Sequence, residues 1–222
     1  MQELIKRYLA ALSSDPKGHI MWRMDKLLQD ISSYFHTIES RLLAHLWGVD
    51  LGSSCRFYGI TKFKRSPDSK ISIGARCLFR SAFISNMVGL NRVCGISTHK
   101  KNASITIGEE CGFSGTIIAA SNSIAIGNRV SCGGNVTITD FDWHNIDPTT
   151  RSQGGSKSAP IIIGNNVWLG LNCLVLKGCT IGDNTVIGAN SVVVSSSVPA
   201  NVVAAGNPAR VIRPLQNNQL KD

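Results

Sequence analysis

The sequence predicts an all-β solenoid preceded by an α-helical extension, and two patterns lead to this fold class. From about residue 71 onward, an aliphatic or aromatic residue recurs at every sixth position. Nearer the N-terminus, apolar residues instead recur at alternating steps of four and three. A period of six is neither the two of a simple strand nor the 3.6 of a helix. It favours short strands joined by a turn in every repeat.

The N-terminal extension, residues 1–50, is predicted to be helical. Asp15 and Pro16 separate a short helix at about residues 3–12 from a longer one. The apolar positions of the longer helix form one stripe of an amphipathic helix: Met24, Leu28, Ile31, Phe35, Ile38 and Leu42. Such a stripe needs a partner. We expect it to pack on the solenoid or on another subunit, and the alternative is a peripheral contact with a membrane.

The six-residue repeat is clearest in the C-terminal half. An aliphatic side chain occupies each step of the frame: Ile163, Leu169, Val175, Ile181, Ile187 and Val193. Glycine often follows and permits the turn, and a small residue lies four positions after the aliphatic one. Four of the seven cysteines fall at this small, inward position: Cys77, Cys111, Cys173 and Cys179. We interpret them as thiols that pack in the core and take no part in a reaction.

Composition excludes several classes of protein. Hydrophobic residues make up 43% of the 222 residues, which argues against disorder. No apolar run approaches the length of a membrane-spanning helix, and the run Tyr8–Leu12 is too short for a signal peptide. We therefore expect a soluble, cytoplasmic protein. The net charge of +9 is spread along the chain, which argues against a nucleic-acid-binding arm and suits a small anionic ligand.

Two interruptions break the repeat, at about residues 86–104 and 143–160. Long ordered loops in compact proteins often carry function. We expect each interruption to be a loop expelled from the solenoid, and each contains one histidine, His99 and His144 respectively. The three other histidines lie in the helical extension and are expected to be surface or packing residues.

Three stretches of the repeat region resemble a known family. They are IIIGNNVWLG at 161–170, TIGDNTVIGANSVV at 180–193 and VPANVVAAGNPARVIR at 198–213. They resemble the hexapeptide-repeat acyltransferases, especially the maltose and galactoside O-acetyltransferase branch and related enzymes that acetylate surface polysaccharides. The resemblance covers about residues 71–213 and implies a left-handed parallel β-helix with three hexapeptides per coil and a homotrimer. We expect the solenoid domain to span residues 51–213, with a C-terminal tail at 214–222.

The resemblance also implies an activity. We expect an acetyl-CoA-dependent O-acetyltransferase that acts on a sugar hydroxyl of a capsule, exopolysaccharide or lipopolysaccharide precursor, without a metal. The alternatives are an acetyltransferase for a xenobiotic or another small acceptor, and a non-catalytic solenoid scaffold. A carbonic anhydrase of similar shape would need three zinc-ligating histidines, and this region offers two.

His144 is the expected general base, because the family places its catalytic histidine where the second loop leaves the coil. Asp140, Asp142 and Asp147 are candidates to orient its ring, although a backbone carbonyl would also serve. Any of these carboxylates is equally a candidate for binding acceptor hydroxyls. Three further residues are candidates for acceptor binding: Asn86, Arg92 and Asn135.

Acetyl-CoA would be held by residues that match the family's motif. Trp168 matches a stacking tryptophan, Ala189 a lining position, and the N–H of Leu171 a donor to the oxyanion. Arg210 and Arg213 match arginines that face the nucleotide phosphates.

Three departures from the family pattern qualify this assignment. The family has a small residue in place of Leu171. Ser195, which we also expect to bind the cofactor, stands with Ser196 in place of the family's Thr-Lys pair. Ala120 and Ser121 replace an acidic pair that reads the sugar in the galactoside enzyme. We therefore do not expect this chain to share the galactoside enzyme's specificity for its acceptor.

Overall fold

The computed structural model describes residues 14–151, 153, 157–195 and 197–215. One helix, α1 (Pro16–Leu46), precedes three sheets. Sheet 1 holds β1 (Asp50–Leu51), β4 (Lys70–Ile73), β7 (Ser104–Ile107), β10 (Ser123–Ile126), β13 (Ile161–Ile163), β16 (Thr180–Ile181) and β19 (Ser197–Val198). Sheet 2 holds β2 (Arg56–Tyr58), β5 (Leu78–Arg80), β8 (Gly112–Ser114), β11 (Ser131–Gly134), β14 (Trp168–Leu169), β17 (Val186–Ile187), β20 (Val202–Gly206) and β21 (Ala209–Pro214). Sheet 3 holds β3 (Lys62–Lys64), β6 (Gly95–Thr98), β9 (Ile117–Ala120), β12 (Thr137–Thr139), β15 (Leu174–Leu176) and β18 (Val192–Val193).

The chain visits the three sheets in turn, and each strand from β1 to β17 pairs in parallel with the strand three places further along the chain. The result is a three-sided solenoid of seven coils, the last of which ends in the antiparallel pair β20–β21. The predicted left-handed parallel β-helix with an N-terminal helix is confirmed. We name its edges by the sheets that they join: the 1–2 edge, the 2–3 edge and the 3–1 edge.

The inward positions of the repeat form one continuous core. Ile163 pairs with Ile126 in the coil before it and with Ile181 in the coil after it, and all three side chains are buried. The seven cysteines are buried free thiols, as predicted for four of them. The Cys77 thiol donates to the Gly108 carbonyl at 3.3 Å, so it also links two successive coils by a hydrogen bond.

The turns of the 1–2 edge use asparagine in the left-handed conformation. Asn166, Asn184 and Asn201 have φ between 55° and 60°, a region that asparagine tolerates better than most residues. Their side chains form a ladder, with Asn166 donating to Asn184 at 3.0 Å and Asn184 donating to Asn201 at 2.9 Å. The short polar side chain therefore serves both the turn and the stacking of coils.

Helix α1 closes the open end of the first coil. Asp15 caps the helix by accepting the Gly18 N–H at 2.9 Å, and the predicted short helix at 3–12 lies outside the described residues. The unpaired edge of the coil donates to polar side chains of α1: Phe57 N–H to Thr37 Oγ1 at 3.0 Å, and Gly59 N–H to His36 Nδ1 at 3.1 Å. Because that edge requires hydrogen-bond acceptors, a polar side of the helix faces the solenoid. The apolar stripe consequently does not pack on the solenoid of the same chain.

The two loops differ in how well their positions were predicted. The first lies at 81–94, between β5 and β6, rather than at 86–104, and contains a short 3-10 helix (Phe83–Ser85). Residues 95–98 form β6, so His99 follows a strand instead of lying in an expelled loop. The second loop lies at 140–160, between β12 and β13, close to the predicted 143–160. Among the described residues, no helix is long and apolar enough to cross a membrane.

Candidate functional site

The second loop is closed at its root by backbone pairing. Phe141 forms an antiparallel bridge with Ser158, and the Asp142 N–H donates to the Lys157 carbonyl at 3.0 Å. An ion pair between Asp142 and Lys177, both partly buried, ties this root to the next coil. His144 therefore stands two residues from a fixed point of the chain.

Asp140 is a buried anchor of the loop. Its two carboxylate oxygens accept the N–H groups of Ser121 at 2.6 Å and Asn122 at 2.9 Å, which fixes the turn between β9 and β10. Burial raises the pKa of Asp140, and the backbone donors partly oppose that rise. Both oxygens of Asp140 are thus engaged by the turn between β9 and β10. Its role toward His144 or an acceptor stays a prediction.

An aromatic cluster supports the start of the loop. The His99 ring lies 5.1 Å from the Phe141 ring and 5.0 Å from the Trp143 ring, measured between centroids. Ser97 Oγ is 2.9 Å from His99 Nε2. Burial lowers the pKa of His99, with Lys64 adding to the effect and Asp140 opposing it. Sequence reasoning missed this role, because Trp143 and His99 lie far apart along the chain.

His144 itself is exposed, and within the described part of the chain its ring makes no hydrogen bond. The expected contact with Asp142 or Asp147 is not formed. Asp142 pairs with Lys177, while Asp147 accepts the N–H and the hydroxyl of Thr149 at 2.8 and 2.7 Å. These bonds lower the pKa of Asp147. The ring is thus free to meet a ligand from outside the chain.

A cleft of about 580 Å³ opens within the second loop, and Asn145, the residue after His144, lines it. Five of its six lining residues have polar side chains, and two of these, Asp142 and Asp147, are predicted acceptor-binding carboxylates. The other four lining residues are Asn145, Ile146, Thr150 and Lys157. Carboxylate, amide and hydroxyl groups of this kind suit a ligand with several hydroxyls.

Three predicted acceptor-binding residues instead hold the first loop against the solenoid. Arg92 donates to the Gly115 carbonyl at 3.0 Å and to Thr137 Oγ1 at 2.7 Å. The Asn135 side chain accepts the Asn91 N–H at 3.1 Å and donates to the Gly89 carbonyl, and Asn86 donates to Ser114 Oγ at 3.2 Å. These contacts hold Asn86, Arg92 and Asn135 in fixed positions, and their role in acceptor binding stays a prediction.

Three of the residues predicted to hold CoA, Trp168, Arg210 and Arg213, belong to strands of sheet 2. Trp168 pairs with Val186, Val186 with Val203, and Val203 with Arg213, so all four share one register row of sheet 2. At about 4.8 Å per strand, the row spans about 14 Å. Trp168 and Arg213 are both exposed at its two ends. Arg210 is exposed on the same hairpin, opposite Ala205.

The predicted oxyanion donor lies on the adjoining 2–3 edge. Leu171 and Ala189 occupy equivalent turns of successive coils. Gly170 donates to the Ile187 carbonyl and Asn172 to the Gly134 carbonyl, whereas no turn bond among the described residues uses the Leu171 N–H. The Leu171 side chain lies over Gly134, where an added Cβ would be 2.9 Å from Leu171 Cδ1. Its bulk is therefore directed toward the preceding coil and away from Ala189.

The two groups of residues lie on different edges of one chain. The His144 loop leaves at the 3–1 edge, and Ser195 lies there too, with its hydroxyl 3.3 Å from the Lys177 carbonyl. Leu171 is six residues from Lys177 along the fifth coil, a span of at most about 20 Å of extended chain. Within a single chain, the His144 edge and the Leu171 edge therefore lie apart by the width of sheet 3. Among the described residues, no cluster of three or more His, Cys, Asp or Glu side chains is arranged for a metal ion.

Comparisons with known proteins agree with this architecture. Residues 160–195 match the family described as "Bacterial transferase hexapeptide (six repeats)". The galactoside O-acetyltransferase of Lactococcus lactis is 36% identical over 67% of this chain and 65% of its own length. That of Escherichia coli is 45% identical over 43% of this chain and 46% of its own length. The alignments thus span less than two thirds of either relative.

A solved structure shares the fold. The hexapeptide-repeat-containing acetyltransferase VCA0836 from Vibrio cholerae superposes with a TM-score of 0.52 at 24% identity, covering 82% of each chain. The predicted resemblance is confirmed: the chain contains a hexapeptide-repeat transferase domain.

Proposed function

We propose that this chain, which contains a hexapeptide-repeat transferase domain, is an acetyl-CoA-dependent O-acetyltransferase that acts on a sugar hydroxyl. The observation that carries the proposal is the row from Trp168 to Arg213 beside the free N–H of Leu171. This row offers an exposed aromatic face and guanidinium groups along one surface, which suit the adenine or pantetheine and the phosphates of CoA. The names of the two galactoside O-acetyltransferase relatives point to the same reaction.

The chemistry follows from two groups of the chain. His144 takes the proton of the acceptor hydroxyl as that oxygen attacks the thioester carbonyl carbon. The Leu171 N–H donates to the carbonyl oxygen as it becomes an oxyanion. When the carbon–sulfur bond breaks, His144 returns the proton to the departing sulfur, which leaves an acetyl ester and free CoA.

The separation of the two edges supports a homotrimer. If the 3–1 edge of one subunit faces the 2–3 edge of its neighbour, the His144 of the first meets the Leu171 of the second. A closed three-fold ring builds three such sites, and all three are equivalent. We propose this arrangement as the working form of the enzyme.

The acceptor is proposed to be a sugar of a capsule, exopolysaccharide or lipopolysaccharide precursor. The cleft of the second loop supports a hydroxyl-rich acceptor, because the polar side chains of Asp142 and Asp147 line it together with those of Asn145 and Lys157. The carboxylates accept hydrogen bonds from vicinal hydroxyls, the lysine donates to them, and the asparagine amide does both.

A screen for CoA release tests the proposal. Nucleotide sugars, small glycans and hydroxyl-bearing xenobiotics are each offered with acetyl-CoA to the wild type and to His144→Ala. We expect release with a sugar acceptor, and a loss of turnover by about 10²–10⁴-fold in the variant. Retention of more than about a tenth of the turnover would remove His144 as the base. A xenobiotic as the preferred acceptor would overturn the sugar assignment.

Binding of the donor is tested separately. CoA should raise the thermal stability of the wild type and of His144→Ala equally, because it binds the folded state at the opposite edge. The double variant Arg210→Ala, Arg213→Ala should show a smaller shift at the same CoA concentration. No shift for the wild type at millimolar CoA would contradict the assignment of the cofactor.

A further inference from the structure

Helix α1 exposes an apolar surface that the activity does not use. Nine large apolar side chains are between 48% and 66% exposed and define what we call the α1 stripe: Ile20, Met24, Leu27, Leu28, Ile31, Tyr34, Phe35, Ile38 and Leu42. At 1.5 Å per residue the stripe is about 33 Å long. Contiguous apolar patches of this size are uncommon on soluble monomers and mark interaction surfaces.

The stripe points away from the protein at the end of the solenoid. Helix α1 contacts β1, β2 and β3, the three strands of the first coil, so it lies across the open end. Its buried residues are Ser33, Ser40 and Ala44, on the side opposite the stripe. The apolar surface is therefore an outermost layer, accessible to a flat partner.

Positive charge surrounds this end of the molecule. Residues 16–65 carry eight lysines and arginines against four acidic residues. Lys17 and Lys26 are exposed on α1, and Lys62 and Lys64 are exposed on β3. One of the four acids, Asp30, is paired with Arg56 at 2.9 Å. Lys26 lies over the Trp22 ring, on the side of α1 away from the stripe. An apolar strip at an end of the molecule that carries an excess of lysine and arginine matches the boundary between the acyl chains and the anionic headgroups of a bilayer.

We propose that α1 is a peripheral anchor that lies in the headgroup region of an anionic lipid bilayer, with the α1 stripe inserted. A coiled-coil partner fits less well, because Ile20, Leu27 and Tyr34 widen the stripe beyond the narrow seam that such a partner uses. In a trimer whose axis runs along the solenoid, the three stripes lie at the same end, so three anchors act on one membrane. The anchor is additional to the proposed activity and does not depend on it.

Vesicle flotation of the full chain tests the anchor. The vesicles contain equimolar phosphatidylglycerol and phosphatidylcholine, or phosphatidylcholine alone. The stripe variant is Ile31→Gln with Phe35→Gln, and the matched control is Trp22→Gln, which removes an equally exposed aromatic side chain from the other side of α1. All three side chains are exposed, so we expect the thermal stability of each variant to equal that of the wild type.

The anchor predicts that the wild type and the Trp22→Gln control float with the anionic vesicles, more weakly with phosphatidylcholine alone. The stripe variant should bind at least about tenfold less tightly. Equal binding of the stripe variant, or an equal loss in the control, would overturn the proposal. So would a wild type that does not float with either kind of vesicle, and a second copy of the chain is then the alternative occupant of the stripe. Light scattering on the same proteins without vesicles tests for a second copy. If one covers the stripe, the wild type has a larger molar mass than the stripe variant.

Discussion

Leu171 contributes to the site through two separate groups. Its side chain lies over Gly134 and against the first loop, where Val88 Cγ1 is 3.0 Å from the position of an added Cβ on Gly134. Its N–H is the proposed hydrogen-bond donor to the oxyanion. The bulk that distinguishes this chain from the family pattern is thus absorbed by a glycine one coil earlier, and the backbone donor is retained.

The donor role can be separated from the side chain by a proline. Gly170 accepts the Cys173 N–H at 3.3 Å and Asn172 has φ of 57°, which places Leu171 second in a turn of the type that favours proline there. Leu171→Pro should therefore fold and lack only the N–H relative to Leu171→Ala. We expect its turnover number to be about 10²–10³-fold below that of Leu171→Ala at saturating acetyl-CoA. Equal turnover of the two variants would exclude the Leu171 N–H as the donor.

Sequence reasoning identified the residues of the candidate site more readily than their partners. His144, Trp168 and Arg213 stand in motifs whose local sequence marks them. Arg92 and Asp140 are different, because each bonds to atoms that adjacent coils bring close. Arg92 reaches Thr137, which is 45 positions away, and such contacts depend on the stacking of coils and on the exact length of each loop.

At the scale of elements, the root of the second loop is the part most dependent on packing. His99 belongs to β6's exit turn, yet it lies against Phe141 and Trp143 at the start of the loop. Asp140 fixes the same point from below through the Ser121 and Asn122 N–H groups. The loop that carries His144 therefore has a rigid base and an exposed end.

Protonation of His99, at the root of the second loop, should make the free energy of unfolding depend on pH. Because burial lowers the pKa of His99, the unfolded chain takes up a proton near pH 6.5 before the folded chain does. The free energy of unfolding should then decrease as the pH falls below about 6.5, and this decrease should end below the pKa of the folded state. His99→Phe keeps the ring contacts and removes the titration. Urea unfolding at a series of pH values should show a flatter profile for this variant.

The matched control for that measurement is His144→Ala, which removes an exposed ring and should keep the slope of the wild type. A His99→Phe profile as steep as that of the wild type would show that other groups produce the acid sensitivity.

The repeat frame explains which elements could be predicted. Ile163 and its neighbours keep the period of six without interruption, so their strands follow directly from the sequence. The first loop shifts the phase: Ile96 lies 17 positions after Phe79, one short of three repeats, and β6 was therefore mistaken for loop. The orientation of α1 was also not predictable, because it depends on Thr37 and His36 accepting the N–H groups of Phe57 and Gly59.

At the scale of the whole molecule, the solenoid divides the proposed chemistry between two edges. Sheet 3 stands between the His144 loop and the turn of Leu171 in every chain. A single subunit would then hold both halves of a site without joining them. In the proposed ring, the base of one subunit would meet the oxyanion donor of its neighbour.

Mixed trimers test this account most directly. His144→Ala and Leu171→Pro are each nearly inactive alone, and are combined in equal amounts by unfolding and refolding together. If each site takes its base from one subunit and its oxyanion donor from the next, about a quarter of the sites in random trimers are intact. The account predicts that the mixture recovers about a quarter of the turnover of wild type refolded in the same way. A mixture no more active than its two parents would contradict it.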